Sequence, residues 1–87
     1  MKRKSGFILQ TIGDDVFAVA VTPEAAGIGS MIKLNPTAAT IFSLLEGDCT
    51  EADCVAALME RFDVTEEIAT RDARAFLARL AEAGLLA

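Results

Sequence analysis

Apolar residues in the first third of the chain come in two short runs, Gly6–Ile12 and Val16–Val21, rich in Val, Ile and Phe. Both have strand length and β-branched or aromatic character, so both read as strands. Gly13-Asp14 between them fits a two-residue type II′ hairpin, in which glycine takes the positive φ. Alternation puts Phe7 and Leu9 on one side of the first strand and Ile8 and Ile12 on the other. One face must cover helices. The other is left partly exposed or meets another molecule.

Thr22–Ser30 is the long connection, and Thr22-Pro23-Glu24-Ala25-Ala26 suits a single helical turn with Thr22 as cap and Pro23 at its first position. Gly27-Ile28-Gly29 has no third glycine opening a helix, so it reads as a turn and not as a dinucleotide fingerprint. Met31–Leu34 is a third short strand. It runs directly into a helix that Asn35 caps and Pro36 begins, with Ala38, Ile41, Phe42 and Leu45 at helical spacing and Gly47 as the stop.

Thr50 and Asp53 form a capping box with the shorter acid, and Val55, Leu58, Met59 and Phe62 make the inner stripe of a second helix. After the tight Asp63-Val64 link, Thr65 caps a third helix. Glu66 and Glu67 suit the positive end of its dipole. Ala69, Ala73, Phe76, Leu77 and Leu80 form its inner face, and Gly84 fits its C′ position with Leu85 folding back on Leu80. The expectation is one α+β domain over residues 1–87, winged helix-turn-helix-like. Strands lie at about 6–12, 16–21 and 31–34, and helices at about 36–46, 51–62 and 66–83. The antiparallel order 1-2-3 is the simplest, and it leaves Met31–Leu34 at an edge.

Composition narrows the function classes. Eighty-seven residues suffice for one core, and 53% of them are hydrophobic, but charges break every window long enough to span a membrane. Met-Lys-Arg-Lys at the start is basic with no apolar run after it, so no signal peptide is read and a soluble cytoplasmic protein is expected. The formal charge is −5, and eight acids fall between Glu46 and Glu67 against Arg61 alone. That balance opposes non-specific nucleic-acid binding, which rests on neutralising phosphates. With no histidine, and with Cys49 and Cys54 poorly spaced for a disulfide, the cysteines read as reduced thiols; no metal or other cofactor is expected. The chain also lacks Tyr and Trp, and Ser5, Ser30 and Ser43 have no recognisable triad partner, so an enzyme is not expected.

Two surfaces suit binding. The edge of Met31, Ile32, Lys33 and Leu34 would offer unpaired amides and carbonyls to another strand, although Lys33 also suits an ordinary protected edge. The second surface is a flank of the last helix. Ile68, Asp72, Ala75 and Arg79 lie along one margin, Thr70, Arg74 and Leu77 along the other, and Glu67, Arg71, Ala78 and Glu82 face outward. The sequence leaves open which margin faces the third strand.

Met31-Ile-Lys-Leu-Asn-Pro-Thr-Ala-Ala-Thr-Ile-Phe-Ser-Leu-Leu-Glu-Gly47, followed by Phe62-Asp-Val64, Arg71-Asp72, Phe76-Leu77 and Ala83-Gly-Leu-Leu86, resembles the PqqD family. The resemblance covers Met31 to Leu86. It departs at Phe42, where tryptophan or another large group is expected. It implies a recognition element for ribosomally synthesised, modified peptides, a chaperone without catalysis of its own. Such an element binds the leader of a precursor peptide as a strand added to the third β-strand and packed on the third helix. It then presents the peptide to a modifying enzyme, often a radical SAM enzyme. Carried onto this chain, the peptide site would comprise Met31, Ile32, Lys33 and Leu34 with Ile68, Asp72, Ala75 and Arg79, and Arg71 and Arg74 as second choices. The rival reading is a winged-helix DNA-binding regulator, which the Thr65-Glu66-Glu67 helix start opposes by meeting phosphates with like charge. Exposed edges and the Thr22–Ser30 connection would also permit a homodimer by strand exchange.

Overall fold

A computed structural model describes residues 1–87. Strands β1 (Phe7–Ile12) and β2 (Asp15–Ala20) are followed by a short helix α1 (Pro23–Ile28) and strand β3 (Met31–Leu34). Helices α2 (Pro36–Leu44), α3 (Glu51–Arg61) and α4 (Glu66–Glu82) complete the chain. The sheet is antiparallel in the order β1-β2-β3, the expected α+β arrangement. The expected single turn after Thr22 is a six-residue helix, capped by the Thr22 hydroxyl.

Local chemistry sets most boundaries. Ile12 pairs with Asp15 across Gly13-Asp14, and of those two only Gly13 has a positive φ, at 64°, as a type II′ turn requires. Asn35 accepts from the Ala38 amide at 2.8 Å, and Thr50 and Asp53 exchange both bonds of a capping box. At the end of α4, Gly84 sits at φ 75° while Leu85 donates to the Leu80 carbonyl and Gly84 to that of Ala81, a Schellman ending. One stop is displaced. Helix α2 ends at Leu44, with the amides of Glu46 and Gly47 closing tight turns, and Gly47 takes no left-handed conformation.

The core lies between the inner face of the sheet, contributing Phe7, Ala18 and Leu34, and the three long helices. On α3 the buried positions are Cys54 and Leu58, whereas Met59 is exposed. The inner stripe is therefore rotated from the expected one, because α3 packs against both α2 and α4. Both cysteines are free and buried, and burial beside Cys49 pushes the Cys54 thiol up to about 12. The first residues tie the ends together. Arg3 bridges to Leu86, the Ala87 amide donates to the Lys2 carbonyl, and the Arg3 amide donates to the Leu45 carbonyl. No helix is long and apolar enough to cross a membrane.

Candidate functional site

The hydrogen-bond phase of the sheet decides what β3 offers. The Ala20 amide donates to the Ser30 carbonyl, which makes Ala20 and Ser30 a hydrogen-bonded pair. Bonded and non-bonded pairs alternate along an antiparallel ladder. In the observed register Ile32 opposite Ala18 and Leu34 opposite Val16 are therefore bonded to β2, while Met31 opposite Val19 and Lys33 opposite Phe17 are not. The amides and carbonyls of Met31 and Lys33 point away from the sheet, and no loop, turn or cap bonds to them. The vacant edge consists of two residues.

Side-chain alternation places Leu34, buried, and Ile32, packed on the core, toward the helices. Met31 and Lys33 project from the opposite face, where the Lys33 ammonium lies 3.6 Å from Asp15. Where β3 passes into α2, Lys33, Leu34, Asn35 and Pro36 share a depression with Arg79 of α4. The depression continues as a second one of about 190 Å³, with Ala38, Ile41, Ala75 and Phe76 among its lining and Asp72 and Arg79 on its rim. Arg79 of α4 thus stands beside the end of β3, and Ala75 and Asp72 continue its margin along the first turns of α2. Ala75 leaves room there because it ends at Cβ.

The opposite margin is engaged elsewhere. Arg74 donates its Nε–H to both carboxylate oxygens of Glu51 on α3, at 3.1 and 3.2 Å. Arg71, paired with Asp72 at 3.4 Å, joins Arg74 and Glu67 in a separate surface depression. Ile68 continues the Asp72 margin by one turn and is exposed, but it lines neither depression beside β3. Arg79 enters none of the ion pairs of the molecule, which join Met1 to Asp48, Lys33 to Asp15, Arg71 to Asp72 and Arg74 to Glu51. It is an uncommitted cation at the head of the groove. No three side chains converge to hold a metal ion.

This arrangement has no nucleophile–base pair and presents a strand edge, a small apolar floor and a mixed-charge rim. Such a surface recognises an extended peptide by main-chain bonds and alternate side chains. Comparison with known proteins supports the same direction. The family model described as "Coenzyme PQQ synthesis protein D (PqqD)" matches residues 7–86. Among solved structures, TbiB1 in complex with the TbiA(beta) leader peptide superposes with a TM-score of 0.73 at 28% identity, covering 99% of this chain and 94% of that one. Lasso peptide synthetase B1 complexed with the leader peptide superposes with a TM-score of 0.69 at 23% identity, covering 97% and 93%, a likeness of fold. No curated protein matches the sequence.

Proposed function

The chain belongs to the PqqD family, and from that membership and the open β3 edge we propose that it is a non-catalytic escort for the leader of a ribosomally synthesised precursor peptide. The leader adds as a fourth strand, bonding to the amides and carbonyls of Met31 and Lys33. Its inward side chains lie against Ile32, Leu34 and the Asp72–Ala75–Arg79 margin of α4. Arg71 and Arg74 take no part in this site. The observation that carries the reading is the pair of unsatisfied backbone residues beside an unfilled groove, in a chain 28% identical to TbiB1, itself seen with a leader peptide.

Tethering supplies the mechanism. Holding the leader keeps the reactive part of the precursor near the modifying enzyme at an effective concentration that reaches roughly the millimolar range. The receiving enzyme is a radical SAM enzyme or another peptide-modifying enzyme, and the encounter takes place in the cytoplasm. Strand exchange between two copies through β3 would use the same backbone groups as the leader, so such a dimer would be an unloaded form.

The test is a calorimetric titration against synthetic N-terminal segments of short peptides from the source genome, with their C-terminal segments and a random DNA duplex as controls. Saturable binding to one leader segment, and to neither control, is expected. Salt-dependent binding to the duplex with no peptide bound would overturn the proposal in favour of a DNA-binding regulator.

A further inference from the structure

Main-chain pairing at the edge of β3 is blind to sequence. A guest strand shifted by two residues makes the same bonds to Met31 and Lys33 and turns the same face inward. An edge of two residues therefore holds a peptide without fixing its place. Side chains have to fix it. Arg79 is the only charged residue that lines both depressions, the one at the end of β3 with Leu34 and Pro36 and the one along α2 with Ala38 and Ile41. Its guanidinium enters no ion pair, whereas Lys33, the other cation lining them, is held by Asp15. Carboxylates stand on either side of it. Asp72 lies two turns back along α4, roughly 10 Å along the axis, and gives one oxygen to Arg71. Asp14, at the hairpin, lines the β3 depression and enters no ion pair.

We infer that Arg79 pins the register of the bound leader by pairing with one acidic side chain on the leader's inward face. The inference rests on the proposed leader binding and names the chemistry of the leader: an extended segment with Asp or Glu at one inward position and no acid at the inward positions next to it. A slip of two residues moves that carboxylate by about 7 Å. It leaves the guanidinium and approaches Asp72 in one direction or Asp14 in the other, so attraction is exchanged for repulsion. Wrong registers lose on both counts.

Two further features favour this role. The chain carries a net charge of −5, so acids scattered along a leader are repelled by most of the surface, and only one seated at Arg79 is attracted. Arg79 is exposed in the free protein, and a peptide lying over it excludes water, which strengthens the pair beyond an ordinary surface ion pair. A cation in the last turn of α4 also suits the helix dipole, but that contribution is to stability and carries no preference among peptides.

Titration calorimetry of the full chain and of its Arg79→Gln variant tests it, with the synthetic leader segment that saturates the wild type as probe. Each acid of the segment is replaced in turn by its amide, and one more peptide moves the critical acid by two positions. In the wild type a single amide replacement, and no other, is expected to weaken binding about tenfold, and the moved acid to weaken it at least as much. Arg79→Gln is expected to keep the circular dichroism spectrum and to bind all these peptides within about threefold of one another. Arg79→Glu is expected to regain binding from a leader carrying Lys in place of the critical acid. Leader binding in which no acid matters would overturn the inference and leave the escort reading standing. So would an acid whose replacement weakens binding to Arg79→Gln as much as to the wild type. Absence of saturable binding by any leader segment to the wild type would overturn both.

Discussion

Arg3 is the one charged residue among the buried positions, and each part of its side chain has a partner. Its Nε–H donates to the Phe42 carbonyl at 2.9 Å, and its guanidinium lies 4.5 Å from the centre of the Phe42 ring. Phe42 in turn meets Phe7 edge to face, with 6.0 Å between centroids. The group expected to be larger at position 42 is thus a phenylalanine topped by an arginine from the N-terminal segment. Arg3→Ala removes the ring contact and leaves a helix-terminal carbonyl without its charged donor. It is expected to lower the unfolding free energy in urea by about 2 kcal/mol, and a loss below about 0.5 kcal/mol would show the contact to be incidental. Nothing in a basic Met-Lys-Arg-Lys run announces this role, because the acceptor lies 39 positions away. The Met59 and Cys54 exchange has a similar origin. Hydrophobic spacing ranks a long methionine as core, yet two neighbouring helices favour the small thiol on the inner side.

At the scale of elements, what was legible followed from short-range chemistry. The hairpin, the three helix-opening caps at Asn35, Thr50 and Thr65 and the glycine ending of α4 each need residues only a few positions apart. The end of α2 was misplaced because tight turns close the helix without a left-handed residue, so Gly47 marks a loop and not a cap. The edge position of β3 was readable from strand order. Its hydrogen-bond phase was not, and that phase separates two substitutions that look alike in the sequence. Ile32→Pro deletes an amide bonded to β2 and is expected to destabilise the sheet, whereas Lys33→Pro deletes an amide that faces away from it. Lys33→Pro should therefore retain the wild-type thermal midpoint within a few degrees while losing leader binding by tenfold or more, about 1.4 kcal/mol. Equal destabilisation by the two prolines would show that the phase is wrong.

At the scale of the molecule, three strands and three long helices leave a groove where β3 turns into α2 and α4 passes alongside. The choice between the margins of α4 is a tertiary fact. It is fixed by the buried stripe Ala69, Ala73, Phe76, Leu77 and Leu80, which leaves Asp72, Ala75 and Arg79 on the side of α2 and Arg74 on the side of Glu51 in α3. No helical wheel contains that information. The two edges of the sheet provide the sharpest internal comparison, since by the same alternation Phe7, Leu9 and Thr11 point their backbone groups outward from β1. Amide hydrogen exchange followed by NMR, with and without a saturating leader peptide, reads the N–H of each of these residues separately. The account predicts that exchange at Met31 and Lys33 slows by about tenfold or more on loading, with Ile32, Leu34 and the β1 edge changed little. Unchanged exchange at Met31 and Lys33, or protection gained at Phe7, Leu9 and Thr11 instead, would contradict it.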